Sequence, residues 1–195
     1  SVGLTPQEQR GLYGELYFLK TFLNADSDFS KVINSWTGPE KEIRDFQIGN
    51  NALEVKTTHG NNHQKIHISS ERQLDLNNLQ NLYLYHISLD VRHQDGETLN
   101  QIIDSISDVL TTNYSALSSF NNKLLEAGFF NHHREIYKDT GYFIRHDAFY
   151  KIEGEFPRIE ENDIRSGVGD VKYSIIVDNY QNHLTTETEV LTNLN

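Results

Sequence analysis

A predicted β-hairpin constrains the fold of this chain more than any other segment. Residues 42–48 and 52–57 each alternate between polar and apolar side chains, which is typical of half-buried strands. Gly49-Asn50 lies between them and favours a two-residue turn. A turn of that length fixes how the two strands pair, so the hairpin register can be derived directly.

This register places charged side chains opposite each other. Asp45 pairs with Glu54, and Lys56 shares their face because side chains alternate with period two. Phe46 and Leu53 point the other way, into a core. Opposed carboxylates repel each other unless a cation offsets their charge, and hard divalent metals such as magnesium prefer oxygen ligands. The hairpin therefore predicts metal-assisted phosphodiester hydrolysis, with the lysine stabilising developing negative charge.

The first helix adds another carboxylate. Residues 5–8 form a capping box with proline at the first helical position, and leucines then recur at helical spacing. Glu15 falls on the apolar side of this helix, where a carboxylate is costly to bury without a partner. We therefore expect Glu15 to face a metal ion or a positively charged neighbour. Gly11 and Gly14 lie in the middle of the helix and predict close packing there.

The remaining patterns predict one α/β domain. Further strands are expected over 65–69, 82–91, 142–153 and 171–177. Helices with apolar stripes are expected over 99–110 and 117–125, and a second capping box predicts a short helix over 70–77. The chain is polar from about residue 180, so we expect a domain over 1–179 followed by a flexible tail over 180–195.

Composition excludes several classes of protein. The chain has 195 residues and no cysteine, so it has neither a disulfide framework nor a thiolate metal site. It has no signal peptide and no apolar run approaching the roughly 18 residues of a membrane span, which favours a cytoplasmic protein. Methionine is absent even from position 1, so we expect a piece of a longer protein. The net charge of −11 disfavours extensive wrapping of nucleic acid, although a nuclease site is itself a carboxylate cluster that metal ions neutralise.

Nine histidines raise the alternative of a zinc site. His59 and His63 are four residues apart but lie in a predicted loop, and His132-His133 follow a helix end. Zinc sites need converging ligands and often use a helical pair at that spacing. Contact with phosphate near the carboxylates fits His59 and His63 better.

The order of these features resembles the PD-(D/E)xK nuclease superfamily: a helix with Glu15, a strand with Asp45, then the run LEVKT. More narrowly, the chain resembles one little-characterised bacterial family of that superfamily, found beside restriction-modification genes. The runs that carry this resemblance are GLYGELYFL, SWTGP, RDF, LEVKTT, ISSERQLD and FPRI, and they cover most of residues 5–178. Arg44, where the superfamily motif has proline, is a departure of a common kind.

The resemblance implies a restriction-endonuclease-like core, with a mixed central sheet flanked by helices, acting on DNA with magnesium, for which manganese can substitute. Carried over by position, the catalytic residues are Asp45, Glu54 and Lys56. The implied metal ligands are Asp45, Glu54, the carbonyl of Val55, and Glu15. Gln73 lies where some branches place an auxiliary polar residue.

The resemblance also implies a role: a DNA endonuclease, or a nuclease subunit, of a bacterial restriction or phage-defence system. Its partners would be DNA and either other subunits of that system or a second copy of the chain, with no membrane involved. It further implies an additional amino-terminal region. The alternative is a non-catalytic scaffold that keeps the fold and binds nucleic acid or partner proteins. Intact site residues favour the enzyme, and the acidic net charge favours the scaffold.

Overall fold

Eight strands and six α-helices make up the described part of the fold. The computed structural model describes residues 2–177 and 181–195. The strands are β1 (Phe46–Ile48), β2 (Asn51–His59), β3 (Lys65–Ile68), β4 (Asn81–His93), β5 (Glu97–Thr98), β6 (Thr140–Lys151), β7 (Tyr173–Ile176) and β8 (Leu184–Thr185). The helices are α1 (Pro6–Ala25), α2 (Phe29–Ser35), α3 (Leu99–Leu110), α4 (Tyr114–Glu126), α5 (Arg134–Tyr137) and α6 (Glu187–Leu194). None of the described helices is long and apolar enough to cross a membrane.

One mixed sheet forms the centre of the fold. Its strand order is β1-β2-β4-β6-β5, and β8 also pairs with β6. The β2–β4 pair is parallel, while the other neighbours are antiparallel. Parallel neighbours need a long crossover connection. Here that connection carries β3, which pairs with β7 in a separate two-stranded sheet. The predicted mixed central sheet flanked by helices is confirmed.

The two faces of the central sheet are covered differently. Helices cover one face, where Leu53 and Tyr85 belong to the larger apolar core. The small sheet covers part of the other face, where Leu84 packs in a second core with Ile66. Because the small sheet is short, the rest of this second face is left open. This partial cover decides where a ligand can reach the sheet.

Helix α1 begins as its sequence predicts. Thr5 Oγ1 accepts from the Glu8 backbone N–H at 3.2 Å, and the Glu8 carboxylate accepts from the Thr5 N–H at 2.8 Å. Gly14 packs directly against β2, since a Cβ there would stand 2.5 Å from Thr57 Cγ2. A Cβ on Gly11 would meet nothing within 4 Å. The predicted close packing is therefore confirmed at Gly14 and wrong at Gly11.

The predicted helix over 70–77 is wrong, because this segment forms successive turns. Gln73 takes the capping role but closes only a turn, with its side-chain oxygen accepting from the Ser69 N–H at 3.0 Å. The buried Arg44 guanidinium then donates to the Asp75 carbonyl at 2.5 Å. The Asp75 carboxylate accepts from the Asn77 N–H at 2.8 Å, a donor that a helix through residue 77 would use, and from the Glu161 N–H at 2.9 Å, so other side-chain and tertiary contacts override local capping.

The predicted flexible tail over 180–195 is wrong where the structure describes it. Residues 187–194 form α6, and Val190 and Leu194 are fully buried in the larger core. Two apolar residues four apart lie on one face of a helix, which is enough to dock it. The predicted boundary at residue 179 lies outside the described residues.

Candidate active site

Polar side chains replace apolar ones along the open face of the central sheet. In chain order, the residues on this face are Ala52, Glu54, Lys56 and Thr58 in β2, and Leu82, Leu84, His86 and Ser88 in β4. The change from apolar to polar comes one pair earlier in β2 than in β4, since Glu54 pairs with Leu84 and Lys56 pairs with His86. Period-two alternation within paired strands therefore groups several functional side chains on one surface.

The hairpin brings Asp45 to this surface by a route that the sequence did not predict. The register is confirmed at Phe46 and Leu53, but β1 begins only at residue 46, so Asp45 precedes the strand. Its carbonyl instead accepts from the Thr37 N–H at 2.8 Å. Its carboxylate accepts from the Val55 N–H at 2.8 Å. Asp45 is thus held at both ends, beside the carboxylate of Glu54.

Three carboxylates meet at this point. Asp45 lies within hydrogen-bonding reach of both Glu15 and Glu54. Burial raises the pKa of all three groups above their ordinary values, and the charge of Asp45 adds to the rise at Glu15 and Glu54. Glu54 is only 2% exposed, whereas Glu15 and Asp45 keep some contact with solvent. Without a cation, this cluster therefore holds protons at a pH where isolated carboxylates are ionised.

Lys56 supplies positive charge to the cluster. Its Nζ lies 3.5 Å from Glu54 Oε1, and the lysine side chain is largely buried. The same charge opposes the rise in the pKa of Asp45 and of Glu54. When all three carboxylates are ionised, a single lysine beside them leaves the site with a net negative charge.

Glu15 is fixed by a chain of contacts that reaches α4. Trp36 Nε1 donates to Glu15 Oε1 at 3.0 Å, and the buried Lys123 ammonium donates to the Trp36 carbonyl. Gly38 lies against the same carboxylates, and a side chain there would collide with Glu15 and Asp45. Glu15 projects from α1 toward the site, as expected. Trp36 is buried in the larger core and also orients this carboxylate.

An open cleft of about 740 Å³ gives access to the cluster. It is lined by all six predicted site residues, namely Glu15, Asp45, Glu54, Val55, Lys56 and Gln73. Arg10 and Lys65 add cationic side chains to its walls, and His59 also lines it. The structure thus brings the predicted residues together, while their chemical roles stay predictions.

The donor set fits a hard divalent cation. Among the described residues, nothing donates to Glu54 Oε2, a buried oxygen, and the Glu54 carboxylate lies beside that of Asp45. A buried carboxylate oxygen without a partner is costly, and a cation would satisfy it. In residues 2–177 and 181–195, no group of three His, Cys, Asp or Glu side chains is arranged to hold a metal ion. Magnesium does not need one, since it keeps several waters beside one or two carboxylates.

Sequence reasoning missed some residues of this surface. His86 lies in β4 directly beside Lys56, and Arg145 is an extra residue in β6, where the register with β4 shifts. The sequence did contain a signal for His86, since a histidine at an apolar position of a central strand indicates a functional residue. Arg145 gave no signal, because a β-bulge depends on pairing that spacing alone does not fix.

An aspartate beside an E-x-K tripeptide, on a mixed sheet with a helix-borne glutamate, defines a site of the PD-(D/E)xK nuclease-like class. The chain belongs to the family described as "Putative PD-(D/E)XK family member, (DUF4420)", which matches residues 1–178. No curated protein and no solved structure matches the chain significantly.

Proposed function

We propose that this protein hydrolyses DNA phosphodiester bonds with the help of magnesium or manganese. The observation that carries the proposal is the meeting of Glu15, Asp45 and Glu54 beside Lys56 in an open cleft, with a buried Glu54 oxygen that has no donor among the described residues. Membership of the PD-(D/E)XK family supports the same reaction class.

Asp45 and Glu54 would hold the cation, with the carbonyl of Val55 and Glu15 close enough in the cleft to add to its ligands. Bound there, a divalent cation lowers the pKa of a water and offsets charge on a phosphate. The Val55 N–H orients the Asp45 carboxylate at 2.8 Å. Gln73 lines the same cleft, where its amide can contact substrate or water.

Lys56 is the proposed catalytic lysine. In hydrolysis, a water oxygen forms a bond to phosphorus, and the bond from phosphorus to the leaving sugar oxygen breaks. Negative charge builds on the phosphate oxygens during this step. A preorganised ammonium near those oxygens stabilises the transition state more than the ground state. Arg10 and Lys65 line the cleft farther out and would bind neighbouring phosphates.

DNA is the proposed substrate, and a restriction or phage-defence system of the cytoplasm is the proposed setting. Other subunits of that system, or a second copy of the chain, would supply DNA contacts that the net charge of −11 does not favour. That charge is also the observation that favours the alternative, a non-catalytic scaffold binding nucleic acid or partner proteins.

Cleavage of plasmid and phage DNA, methylated and unmethylated, distinguishes the two functions. The complete system would carry wild-type protein, Lys56→Ala, or Lys138→Ala, an exposed lysine outside the cleft. We expect Lys56→Ala to lose cleavage by on the order of 10²–10³ while remaining folded. Lys138→Ala removes the same charge and should cleave normally. Equal cleavage by wild type and Lys56→Ala would instead establish the scaffold.

Metal binding gives an independent measurement. Calorimetric titration with magnesium or manganese should give a binding isotherm for wild type and none for Asp45→Ala. Identical isotherms for the two proteins would place the cation elsewhere.

A further inference from the structure

A second depression opens beside the cleft on the same face of the sheet. The loop after β2 separates the two, since residues 58–62 line the cleft and His63 lines the second depression. Its volume is about 370 Å³, within the range of roughly 300–1,000 Å³ that is usual for small-molecule pockets. We call it the histidine pocket, after His63, His86 and His146 in its walls.

His86 is the most buried histidine of this pocket, with 2% of its surface exposed. Its Nε2 lies 2.7 Å from Thr58 Oγ1, and the Thr58 hydroxyl donates to the His63 carbonyl at 2.8 Å. A hydroxyl has only one hydrogen. Thr58 must therefore accept from His86, which places the imidazole proton on Nε2.

The Nδ1 atom of His86 is then a bare acceptor. Among residues 2–177 and 181–195, no group donates to it, although it is buried. Burial, with smaller contributions from His146 and His63, lowers the pKa of His86 to about 4, so the ring stays neutral at neutral pH. A buried acceptor of this kind needs a donor. A ligand for the pocket must present an N–H or O–H group to Nδ1.

Arg145, at the mouth of the pocket, offers a cationic donor and so favours an anion. Arg145 lies in the β-bulge of β6, which turns its side chain toward Ser88 and Gly60. Its Nε and Nη2 atoms bind Ser88 Oγ at 3.1 and 2.8 Å, and Nη1 takes no part in these bonds. The guanidinium is therefore held in place and exposed, as an anion site requires. The inner wall is completed by the buried Tyr150 and Val177.

We infer that the histidine pocket binds a nucleotide, with its base donating an N–H group to His86 Nδ1 and its phosphate at Arg145. A planar base suits the wall that Tyr150 and Val177 complete, and adenine, cytosine and guanine all carry amino donors. The base can belong to a DNA strand held in the cleft, which rests on the proposed function, or to a free nucleotide. The strand source is favoured by position, since Lys56 and His86 are neighbours across β2 and β4.

Binding of mononucleotides to the metal-free protein tests the pocket without any cleavage. The probes are the 5′-monophosphates of deoxyadenosine and deoxycytidine, with deoxyribose 5-phosphate as the probe that lacks a base. Calorimetry in EDTA should show both nucleotides binding at least about tenfold tighter than deoxyribose 5-phosphate, since loss of a buried hydrogen bond has an effect of that order. Equal affinity for all three probes, or no binding at millimolar concentration, would overturn the inference.

Variants separate the base contact from the phosphate contact. His86→Leu removes the acceptor and should weaken nucleotide binding about tenfold, whereas His86→Asn keeps an oxygen near the Nδ1 position and should retain most of it. His93→Asn, an exposed change on the same strand, should bind as wild type does.

Because His86→Leu perturbs a buried position, Arg145→Gln provides a second test at an exposed one. Arg145→Gln should weaken binding of both nucleotides but leave binding of deoxyadenosine, which has no phosphate, unchanged. Wild-type affinity in both His86→Leu and Arg145→Gln would contradict the inference.

Oligonucleotides identify the source of the base. A strand with 2-aminopurine should gain fluorescence on binding if its base leaves the stack for the pocket, and His86→Leu should abolish the gain. Mononucleotide binding without this gain would assign the pocket to a free nucleotide. If the wild-type protein binds nucleotides but Lys56→Ala still cleaves DNA normally, the proposed function is wrong and the inference about the pocket still holds.

Discussion

Glu54 has the strongest physical reason in the cleft to bind a cation. It is nearly inaccessible to water, it faces Asp45, and one oxygen lacks a donor among the described residues. Lys56, whose Nζ lies 3.5 Å from the other oxygen of Glu54, offsets only part of the cost of burying this carboxylate beside Asp45. Burial of a like-charged pair in this way is typical of functional rather than stabilising carboxylates.

The stability of the metal-free protein should therefore fall as pH rises. Burial raises the pKa of Glu54 above its unfolded value, so the protonated form favours the fold. This contribution is complete below the unfolded pKa of about 4.3 and is lost as pH rises through the raised folded value. In EDTA, Glu54→Gln should match wild type near pH 4.5 and melt higher at pH 8. Excess magnesium should reverse the order at pH 8, because only wild type binds it.

Thermal melting from pH 4.5 to 8 measures this effect. Glu155→Gln, an exposed change, is the control and should follow wild type throughout. A Glu54→Gln variant that loses as much stability as wild type between these pH values would show that Glu54 ionises without penalty.

At the scale of elements, α1 and β2 touch closely enough to place Glu15 beside the hairpin. Gly14 is the point of contact, and Glu15 follows it in the chain. Gly14→Ala should destabilise the protein by about 1–3 kcal/mol, because the new methyl group overlaps Thr57. Gly11→Ala, in the same helix, should be neutral or stabilising by up to about 1 kcal/mol, since alanine favours helix and meets nothing there. Urea denaturation followed by circular dichroism gives both values, and equal effects would mean that the helix does not lie this close to β2.

Helix α6 is also part of the core. Leu194→Ala should lower the free energy of unfolding by about 2 kcal/mol or more, because Leu194 is fully buried. Thr192→Ala, on the exposed side of the same helix, should change it by less than about 0.5 kcal/mol. Urea denaturation is the measurement. If both variants unfold at the same urea concentration as wild type, α6 contributes nothing to the core.

The hairpin, the turns at 70–77 and α6 show which parts of the fold can be predicted from local sequence patterns. The hairpin register followed from a two-residue turn and alternation, both of which act between neighbours in sequence. The turns at 70–77 did not follow from local patterns, because Arg44 and Glu161, from other parts of the chain, bind the carbonyl and the carboxylate of Asp75. Helix α6 was not predicted because the segment is polar on average, although two of its residues, Val190 and Leu194, form an apolar stripe that packs in the core. The same alternation placed Glu54 and Lys56 on one face, whereas Asp45 is held by contacts outside the strand, and the pocket at His86 needs the pairing of distant strands.

At the scale of the molecule, charge is distributed unevenly. The net charge is −11, yet Arg10, Lys56 and Lys65 all line one cleft. Burial and the nearby Arg10 and Arg145 lower the pKa of His59, which disfavours a further positive charge there. With a cation offsetting the three carboxylates, these side chains would attract DNA to the cleft while the rest of the chain repels it, so we expect weak binding through few ionic contacts.

The salt dependence of DNA binding should report those contacts. Each cation that neutralises a phosphate contributes about −0.9 to the slope of log K against log salt, so three give roughly −2.7. Lys65→Ala should reduce the slope by about 0.9, while Lys138→Ala, outside the cleft, should leave it unchanged. Fluorescence anisotropy of a labelled duplex measures the slope, with calcium in place of magnesium because calcium is less demanding in geometry and should support binding without cleavage. A slope that Lys65→Ala and Lys138→Ala alter equally would mean that DNA does not enter the cleft, and that the acidic surface has to be bridged by a partner subunit.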